Sequence, residues 1–416
     1  MKNGICVLLA VFLLALSLTA CTVPENPQPP VTVLPSGPVA ELGDTQGWVM
    51  AGRQDGAFSN EGYYYLKSGN FLVFADRRTG ASVCLCSKPG CRHWMEDGQA
   101  RESCEANIVG YDGPILFAED SLYYVTLDSY GKYLKQRDAA GFSEKTIGAL
   151  GKQYTEDEKI VHITNMCPAE GYVYYDATVS ALVWDPATET SVVKEVAYYI
   201  AKVNLKSGKE EILLETGERN PIQICAVRSG GLLYCQWQIP QVDYEDPGYS
   251  AALMNQTYFL NYWDLEKNQT SIVLQKLFRD CQGVMQVHGG RIYYQTASFV
   301  STTTYAYDMK TGVETQISQN VLRHMGGGYA LEQQNGKWTV LNMHTGQRLP
   351  FTLNRNRITI AAFSDQCCIV QIWSDIQNGE QTRIRNIVSY ADLADGLQES
   401  DLLAFDTESS TSSTSP

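Results

Sequence analysis

The segment Gly171-Tyr172-Val173-Tyr174-Tyr175, followed along the chain by Asn204-Leu205-Lys206-Ser207-Gly208, carries the pattern that decides the fold. In the first segment a turn glycine precedes a run of aromatic and β-branched residues, which is typical of a strand. In the second, the Asn204 side chain can cap a tight turn and Gly208 supplies the positive φ that such a turn requires. Together they predict antiparallel strands joined by short turns.

Both patterns recur in alternation along the chain, with seven pairs between Gly62 and Gly396. The strand pattern starts at Gly62, Leu122, Gly171, Gly231, Gly290, Gly328 and Gln366, and the best turn copies begin at Asp76, Asn204, Asp308 and Asn342. A repeat of about 50 residues with about four short strands is the signature of a β-propeller. We therefore predict an all-β fold, a propeller of seven four-stranded blades over residues 44–406. The alternative is a sandwich of unrelated hairpins, which would not require so regular an alternation.

One unit shows the expected layout, with strands at 221–227, 232–238, 258–264 and 270–274. Because an unclosed ring would leave an exposed sheet edge, we expect residues 48–51 to close the ring beside the last blade.

Composition limits the functions that are possible. The 416 residues are 44% hydrophobic and 19% charged and carry a net charge of −14, which predicts a substantial core and excludes nucleic acid as the main partner. No nucleophile–base, phosphate-loop or metalloprotease motif occurs, so we predict no catalytic residues. Carboxylates converging in a central channel would instead favour an extracytoplasmic hydrolase or lyase acting on saccharides.

An apolar run from Ile5 to Leu18 ends at Leu18-Thr19-Ala20-Cys21. The run is too short to span a membrane and reads as a secretory signal. Its last four residues resemble the lipobox of bacterial lipoproteins, which implies a signal peptide at 1–20 and a diacylglycerol anchor on Cys21. An ordinary signal peptide with a coincidental cysteine is the alternative. Residues 21–43 are proline-rich and predict an extended tether, and the Ser/Thr-rich residues 407–416 predict a disordered tail.

The resemblance places the folded body outside the cytoplasm, attached to the membrane through acyl chains and facing the extracellular side or the periplasm. We expect the protein to be a monomer. Two long insertions, in the third and fourth units, should share one face of the disc. They contain aromatic and acidic residues suited to a glycan or peptide ligand, namely Trp184, Asp185, Trp237, Tyr244, Glu245, Asp246 and Tyr249. The alternative is that these aromatic side chains simply pack their own loops.

A cysteine-rich segment follows the first unit, Cys84-Leu85-Cys86-Ser87-Lys88-Pro89-Gly90-Cys91-Arg92-His93, with Cys104 further on. Cys86, Cys91, His93 and Cys104 could form a tetrahedral site for structural zinc. Alternatively, Cys84 or Cys86 forms a disulfide with Cys91 or Cys104. Elsewhere, Cys225 and Cys235 are equidistant from Gly230 at a hairpin turn, which favours a disulfide between them over two free thiols.

The cysteine-rich segment, the lipobox and the Tyr-rich repeats together resemble uncharacterised propeller-like surface lipoproteins of Gram-positive gut bacteria. The resemblance covers most of the chain and implies no known activity. The additional Cys84 makes the local pairing of the cysteines ambiguous.

Overall fold

The computed structural model describes residues 32–34, 48–51, 56–67, 70–91, 93, 103–140, 143–155, 159–185, 190–242, 246–281, 283–296, 302–353, 358–374 and 380–411. Of residues 32–34, 185, 380, 394 and 408–411 only the backbone is described. The signal segment and Cys21 lie outside the described residues.

Seven antiparallel four-stranded units form a seven-bladed β-propeller, which confirms the predicted fold. Each blade takes its strands in chain order from the inner to the outer edge. Blades 1 to 3 are Gly56–Phe58, Gly62–Lys67, Phe71–Asp76, Ser82–Cys84; Tyr111–Ala118, Ser121–Asp128, Gly131–Asp138, Glu144–Leu150; and Ile160–Ala169, Tyr172–Asp185, Thr190–Asn204, Glu210–Gly217. Blades 4 and 5 are Ile222–Arg228, Gly231–Trp237, Thr257–Asp264, Gln269–Leu277; and Val284–His288, Arg291–Gln295, Thr304–Asp308, Glu314–Ser318. Blades 6 and 7 are Val321–Gly326, Tyr329–Gln334, Lys337–Asn342, Arg348–Leu349; and Ile358–Phe363, Cys367–Trp373, Glu380–Ser389, Leu403–Thr411.

The hydrophobic core is divided among the contacts between neighbouring blades. A separate apolar cluster fills each of the seven contacts, including the one between blades 7 and 1. Tyrosines of the second strands dominate these clusters, and Tyr63, Tyr65, Tyr124, Tyr175 and Tyr294 are all fully buried. The Tyr-rich repeat therefore forms the packing surface between blades.

The predicted tight turns join the third and fourth strands of their blades. In the best copies the side-chain oxygen of Asp76, Asn204, Asp308 or Asn342 accepts two backbone N–H bonds of 2.8–3.1 Å. The closing glycines have φ between 69° and 77°. These contacts confirm that the side chain caps the turn and that the glycine is in the left-handed region.

The ring closes differently from our prediction. Blades 7 and 1 contact each other through a hydrophobic cluster, a hydrogen bond from Ser82 Oγ to the Phe405 carbonyl of 2.7 Å, and an ion pair between Lys67 and Asp406 of 2.8 Å. The segment that was expected beside the last blade lies elsewhere. Strand Val49–Met50 pairs with the inner strand of blade 4, where Val49 is opposite Val227 and Met50 is opposite Ala226. The contact between blades 7 and 1 is made by side chains of two complete blades, so closure of the ring does not require a strand shared between them.

Two further elements lie at the borders of the propeller. Thr32–Leu34, inside the predicted tether, pairs in parallel with the outer strand of blade 4. The last strand of blade 7 extends to Thr411, five residues past the predicted boundary at 406. The described helices are short, namely Lys152–Thr155 and Tyr249–Met254 and the 3₁₀ segments Phe278–Asp280, Tyr390–Asp395 and Glu399–Asp401. No helix in the described part of the chain is both long and apolar enough to cross a membrane.

Candidate functional site

The central channel is an open cavity of about 190 Å³, lined by the inner strands and by the added strand Val49–Met50. Its walls are mainly apolar and include Trp48, Met50, Phe58, Phe117 and Met166. Among the described lining residues, Asp365 alone carries a carboxylate. Asp365 also lines the neighbouring depression, where two further carboxylates accompany it.

A second depression lies beside the channel at the turns between first and second strands of blades 1, 2 and 7. It contains Glu119 and Asp120, which form a two-residue turn with both φ values positive, at 47° and 55°. Positive φ at both central positions is the requirement of a type I′ hairpin turn, so this conformation follows from the hairpin and not from strain at a site.

The long insertion of blade 3 is a β-ribbon that extends beyond the rest of its blade. The inner strand pairs only as far as Ser180, and the outer strand only as far as Ala197. Residues 181–185 and 190–194 therefore pair only with each other. An isolated two-stranded ribbon has both faces open to solvent.

One face of this ribbon is apolar and exposed. Leu182 lies directly opposite Val193, and Trp184 follows Leu182 on the same face two residues later. Their exposed fractions are 67% for Leu182, 61% for Trp184 and 59% for Val193. The sequence analysis identified Trp184 but missed Leu182 and Val193, although the alternation of Leu182 with Trp184 could have indicated a common face. We call Leu182, Trp184 and Val193 the ribbon patch.

The insertion of blade 4 has a different character. Trp237 packs against its own blade, with its ring centroid 6.3 Å from that of Tyr258 and 6.2 Å from that of Phe278. Asp246 is exposed, and its carboxylate accepts a 2.6 Å hydrogen bond from the Gly248 N–H within its own turn. Tyr249 is half-buried at the start of a short helix. Trp237 is thus packed on its own blade, and the Asp246 carboxylate caps its own turn.

Three other predicted ligand-face positions are described incompletely or not at all. Tyr244 and Glu245 lie outside the described residues, and of Asp185 only the backbone is described, opposite Thr190. Among the described aromatic residues of the predicted ligand face, Trp184 is therefore the one with an exposed side chain, and it belongs to the ribbon patch.

The four predicted metal ligands come together at the end of blade 1. The donor atoms of Cys86, Cys91, His93 and Cys104 all lie within 4.8 Å of one another, and Cys104 Sγ is 3.7 Å from His93 Nδ1. Cys104 is buried, with 4% of its surface exposed, and the other three side chains are half-buried. Cys84 does not belong to this group of four.

Backbone pairing brings Cys104 to the other three side chains. The backbone N–H of Leu72 donates to the Ala106 carbonyl at 2.8 Å, and that of Ile108 donates to the Asn70 carbonyl at 3.0 Å. The segment after Cys104 thus lies along the start of the third strand of blade 1. The Glu105 carboxylate also accepts hydrogen bonds of 2.9 Å and 2.6 Å from the Ser87 backbone and hydroxyl, which fixes the loop that carries Cys86.

The second cysteine pair departs from the predicted register. A β-bulge between Ile224 and Ala226 places Cys225 in the bulge, so Cys235 lies opposite Gln223. Cys225 and Cys235 are therefore not directly opposite each other, because the symmetric count around Gly230 does not allow for an extra residue, but a side-chain hydrogen bond still joins the two thiols. Both are buried free thiols here, and both sulfurs approach the Gln223 carbonyl. The disulfide itself stays a prediction.

Comparison with known proteins adds only structural matches. No family model matches the chain, and no curated protein sequence matches it. Dipeptidyl peptidase 4 of Porphyromonas gingivalis is 11% identical with a TM-score of 0.47, and the match covers 87% of this chain and 60% of the peptidase. The β-propeller domain of the Trilobed protease of Pyrococcus furiosus is 10% identical with a TM-score of 0.45, covering 84% and 95% of the two chains.

Oligogalacturonate lyase of Vibrio parahaemolyticus is also similar, at 12% identity and a TM-score of 0.43, with 81% of this chain and 89% of the lyase covered. The chain thus spans about three fifths of the peptidase and most of the other two chains. At these identities and TM-scores the matches carry no argument about activity or ligand.

Proposed function

We propose that this protein is a lipid-anchored, extracytoplasmic scaffold whose propeller binds a partner protein through the ribbon patch. The observation that carries the proposal is the exposure of Leu182, Trp184 and Val193 on one face of a ribbon that extends beyond its blade. A monomer normally buries such neighbouring apolar side chains, and an exposed apolar group marks an interaction surface.

The composition of the patch favours a protein partner over a glycan. Tryptophan is enriched among the residues that dominate protein–protein binding energy, and it also stacks on sugar rings. Leu182 and Val193 beside it offer branched aliphatic surface, which gains free energy by covering apolar side chains and not by contacting hydroxyl groups. Lys194 and Glu195, exposed next to Val193, supply the polar rim that such interfaces have.

The location outside the cytoplasm is supported by the resemblance of Leu18-Thr19-Ala20-Cys21 to a lipobox and by the resemblance of most of the chain to surface lipoproteins. Two or three acyl chains would hold the chain stably at a membrane. Replacing Cys21 with Ser removes the thiol that would be acylated, so we expect the variant to leave the membrane fraction. Cys6→Ser, inside the signal segment, is the control and should remain there. Equal fractionation of both variants would contradict the anchor.

Binding of a partner protein through the ribbon patch is tested separately, in cells that express the full chain. A photo-crosslinking amino acid replaces Trp184, and a second strain carries it at Val313, an exposed position on blade 5. We expect one discrete protein adduct from position 184 and none from position 313. The Val193→Arg change should then remove the adduct, whereas Val313→Arg, at a valine of nearly equal exposure (58% against 59%), should not.

Two results would overturn this role for the patch. One is an identical adduct pattern from positions 184 and 313, and the other is an adduct from position 184 that Val193→Arg leaves unchanged. Either would leave the anchor at Cys21 to be judged by fractionation alone.

A further inference from the structure

We infer that Cys86, Cys91, His93 and Cys104 bind one structural Zn²⁺ ion. Three thiols and one imidazole are a donor set that zinc takes in closed, four-coordinate structural sites. In this chain they come from one short loop and from a segment that returns to it, and their donor atoms all lie within 4.8 Å of one another.

The spacing of the donor atoms fits a tetrahedral ion. With Zn–S bonds of about 2.3 Å and Zn–N bonds of about 2.0 Å, donors around one zinc are separated by roughly 3.3–3.8 Å. The separation of 3.7 Å between Cys104 Sγ and His93 Nδ1 already falls in this range. The largest separation in the group, at most 4.8 Å, requires a movement of about 1 Å, which side-chain rotation can supply.

The surroundings hold the donors without help from the ion. Cys104 is buried in a small cluster with Phe71, Cys84 and Ala106, so its position is set by packing. Cys86 and Cys91 are at the two ends of a loop whose backbone is closed by the Cys91 N–H bond to the Lys88 carbonyl at 3.2 Å. His93 has a φ of 54°, in the region that costs a non-glycine residue about 1–2 kcal/mol, and this conformation places Nδ1 beside Cys104.

Charged groups lie close to the proposed site. Three thiolates and a neutral imidazole around Zn²⁺ leave a net charge of about −1. The ammonium group of Lys88, in the same loop, donates to the Ser103 carbonyl next to Cys104, so a cation lies on the segment that joins the ligands. The Glu105 carboxylate, which is bonded to Ser87 in this loop, also interacts with Lys88.

A disulfide would explain the arrangement of these four side chains less completely than zinc does. A bond between two of the three ligand cysteines would leave the third thiol and His93 outside the cross-link. Cys84, the extra candidate for a disulfide, is not one of the four donors, although its side chain packs beside Cys104 and shares a hydrogen bond with it. Cys84 and the ligand cysteines consequently have different expected behaviour, which gives the experiment an internal control.

The ion would act as a cross-link at the junction of blades 1 and 2. It would join the end of the last strand of blade 1 to the segment that leads into blade 2, where backbone bonds from Leu72 and Ile108 already begin the contact. Zinc binding supplies folding free energy directly when the site is absent from the unfolded chain.

The test measures metal content and thiol state in the full chain purified under reducing conditions. We expect about one zinc ion per chain by elemental analysis. Cys86→Ser and Cys104→Ser should lower this more than tenfold, whereas Cys84→Ser should keep it. His93→Cys should retain zinc, because a fourth thiolate completes the same tetrahedral set.

A ligand variant that does not fold would say nothing about the metal, so metal binding is also measured on the wild-type chain. After zinc is removed with a chelator, Co²⁺ should restore one ion per chain and produce the intense visible bands of a tetrahedral thiolate site. Absence of zinc together with absence of these bands would overturn the inference. So would iron in place of zinc, a mapped disulfide within the four-residue group in the zinc-bearing chain, or loss of zinc in Cys84→Ser with the fold intact.

Discussion

The Oδ2 atom of Asp176 accepts a 2.8 Å hydrogen bond from the backbone nitrogen of Ile224, and this bond joins blade 3 to blade 4. Asn165, on the inner strand of blade 3, donates a second 2.8 Å bond to the same oxygen. Asp176 is almost completely buried. A buried carboxyl group held in this way couples the packing of two blades to its protonation state.

Asp176 should make the free energy of unfolding fall as pH rises. Burial raises the pKa of Asp176 to about 7, although the bonds from Asn165 and Ile224 oppose the rise. In the unfolded chain the pKa is about 3.9, so between about pH 4 and pH 7 the unfolded state loses its proton first and becomes relatively more stable. Across this pH window the contribution of Asp176 to the free energy of unfolding falls by on the order of 4 kcal/mol.

Asp176→Asn removes this titration. Urea unfolding at intervals from pH 4.5 to pH 8 should show the wild type losing stability relative to the variant as pH rises. A constant difference between the two proteins across this range would contradict the assignment.

Trp48 should hold the added strand Val49–Met50 against blade 4. The Arg228 guanidinium lies over its ring at 5.0 Å, and Tyr262 makes an edge contact at 6.3 Å between ring centroids. Trp48→Ala should lower the free energy of unfolding by about 3–5 kcal/mol. Trp48 Nε1 has no hydrogen-bond partner among the described residues, so Trp48→Phe should cost much less. Equal losses in the two variants, measured by chemical denaturation, would argue against a packing role.

The closing glycines of the tight turns should differ in how well they tolerate alanine. Gly346 and Gly208 end equivalent turns, with φ of 77° and 69°. A methyl group at Gly346 meets nothing within 4 Å, so Gly346→Ala should cost only the conformational penalty of about 1–2 kcal/mol. A methyl group at Gly208 would collide with the carbonyl oxygen of Ile147 in blade 2.

Gly208→Ala should therefore cost at least about 1–3 kcal/mol more than Gly346→Ala. Thermal unfolding of the two single variants is the measurement. Similar melting temperatures would show that blades 2 and 3 separate easily at this contact.

Arg348 should stabilise blade 6 through a buried carboxylate. Its guanidinium contacts the Glu332 carboxylate twice, at 2.6 Å and 2.9 Å, and Ser318 and Asn320 donate to the same group. Burial alone would raise the pKa of Glu332, but these bonds outweigh it and lower the pKa. Because Arg348 is partly exposed, Arg348→Ala should cost about 2–3 kcal/mol, less than a fully buried pair.

Arg348→Lys is the matched control for this pair. It keeps the charge but not the two-pronged contact, so its stability should fall between those of the wild type and the alanine variant. An alanine variant as stable as the wild type would contradict the importance of the pair.

Much of the fold could be predicted because its signals are local. The predicted strands of blade 4 match the observed Ile222–Arg228, Gly231–Trp237, Thr257–Asp264 and Gln269–Leu277 to within a few residues. Alternation and side-chain-capped turns depend on residues a few positions apart, and the strands keep their pattern wherever the blade lies in the ring.

The sequence predicted some of the candidate sites better than others. Cys86, Cys91 and His93 lie close together in the sequence, so their grouping could be expected. Trp184 was identified by residue type, but its exposure depends on where the neighbouring strands stop pairing. The prediction that Cys225 lies directly opposite Cys235 was wrong because a single bulge residue changes the register, and no residue type in that strand marks the bulge.

By itself, the sequence determined the number and type of repeating units, the capped turns, and the residue types able to bind a metal. Only the tertiary structure decided that Val49–Met50 lies in the channel against blade 4, that a methyl group would meet another blade at Gly208 but not at Gly346, and that Cys104 reaches His93. The physical reason is distance along the chain. Strand alternation and turn geometry are decided by neighbouring residues, whereas these contacts depend on which surfaces meet once all seven blades have packed into a ring.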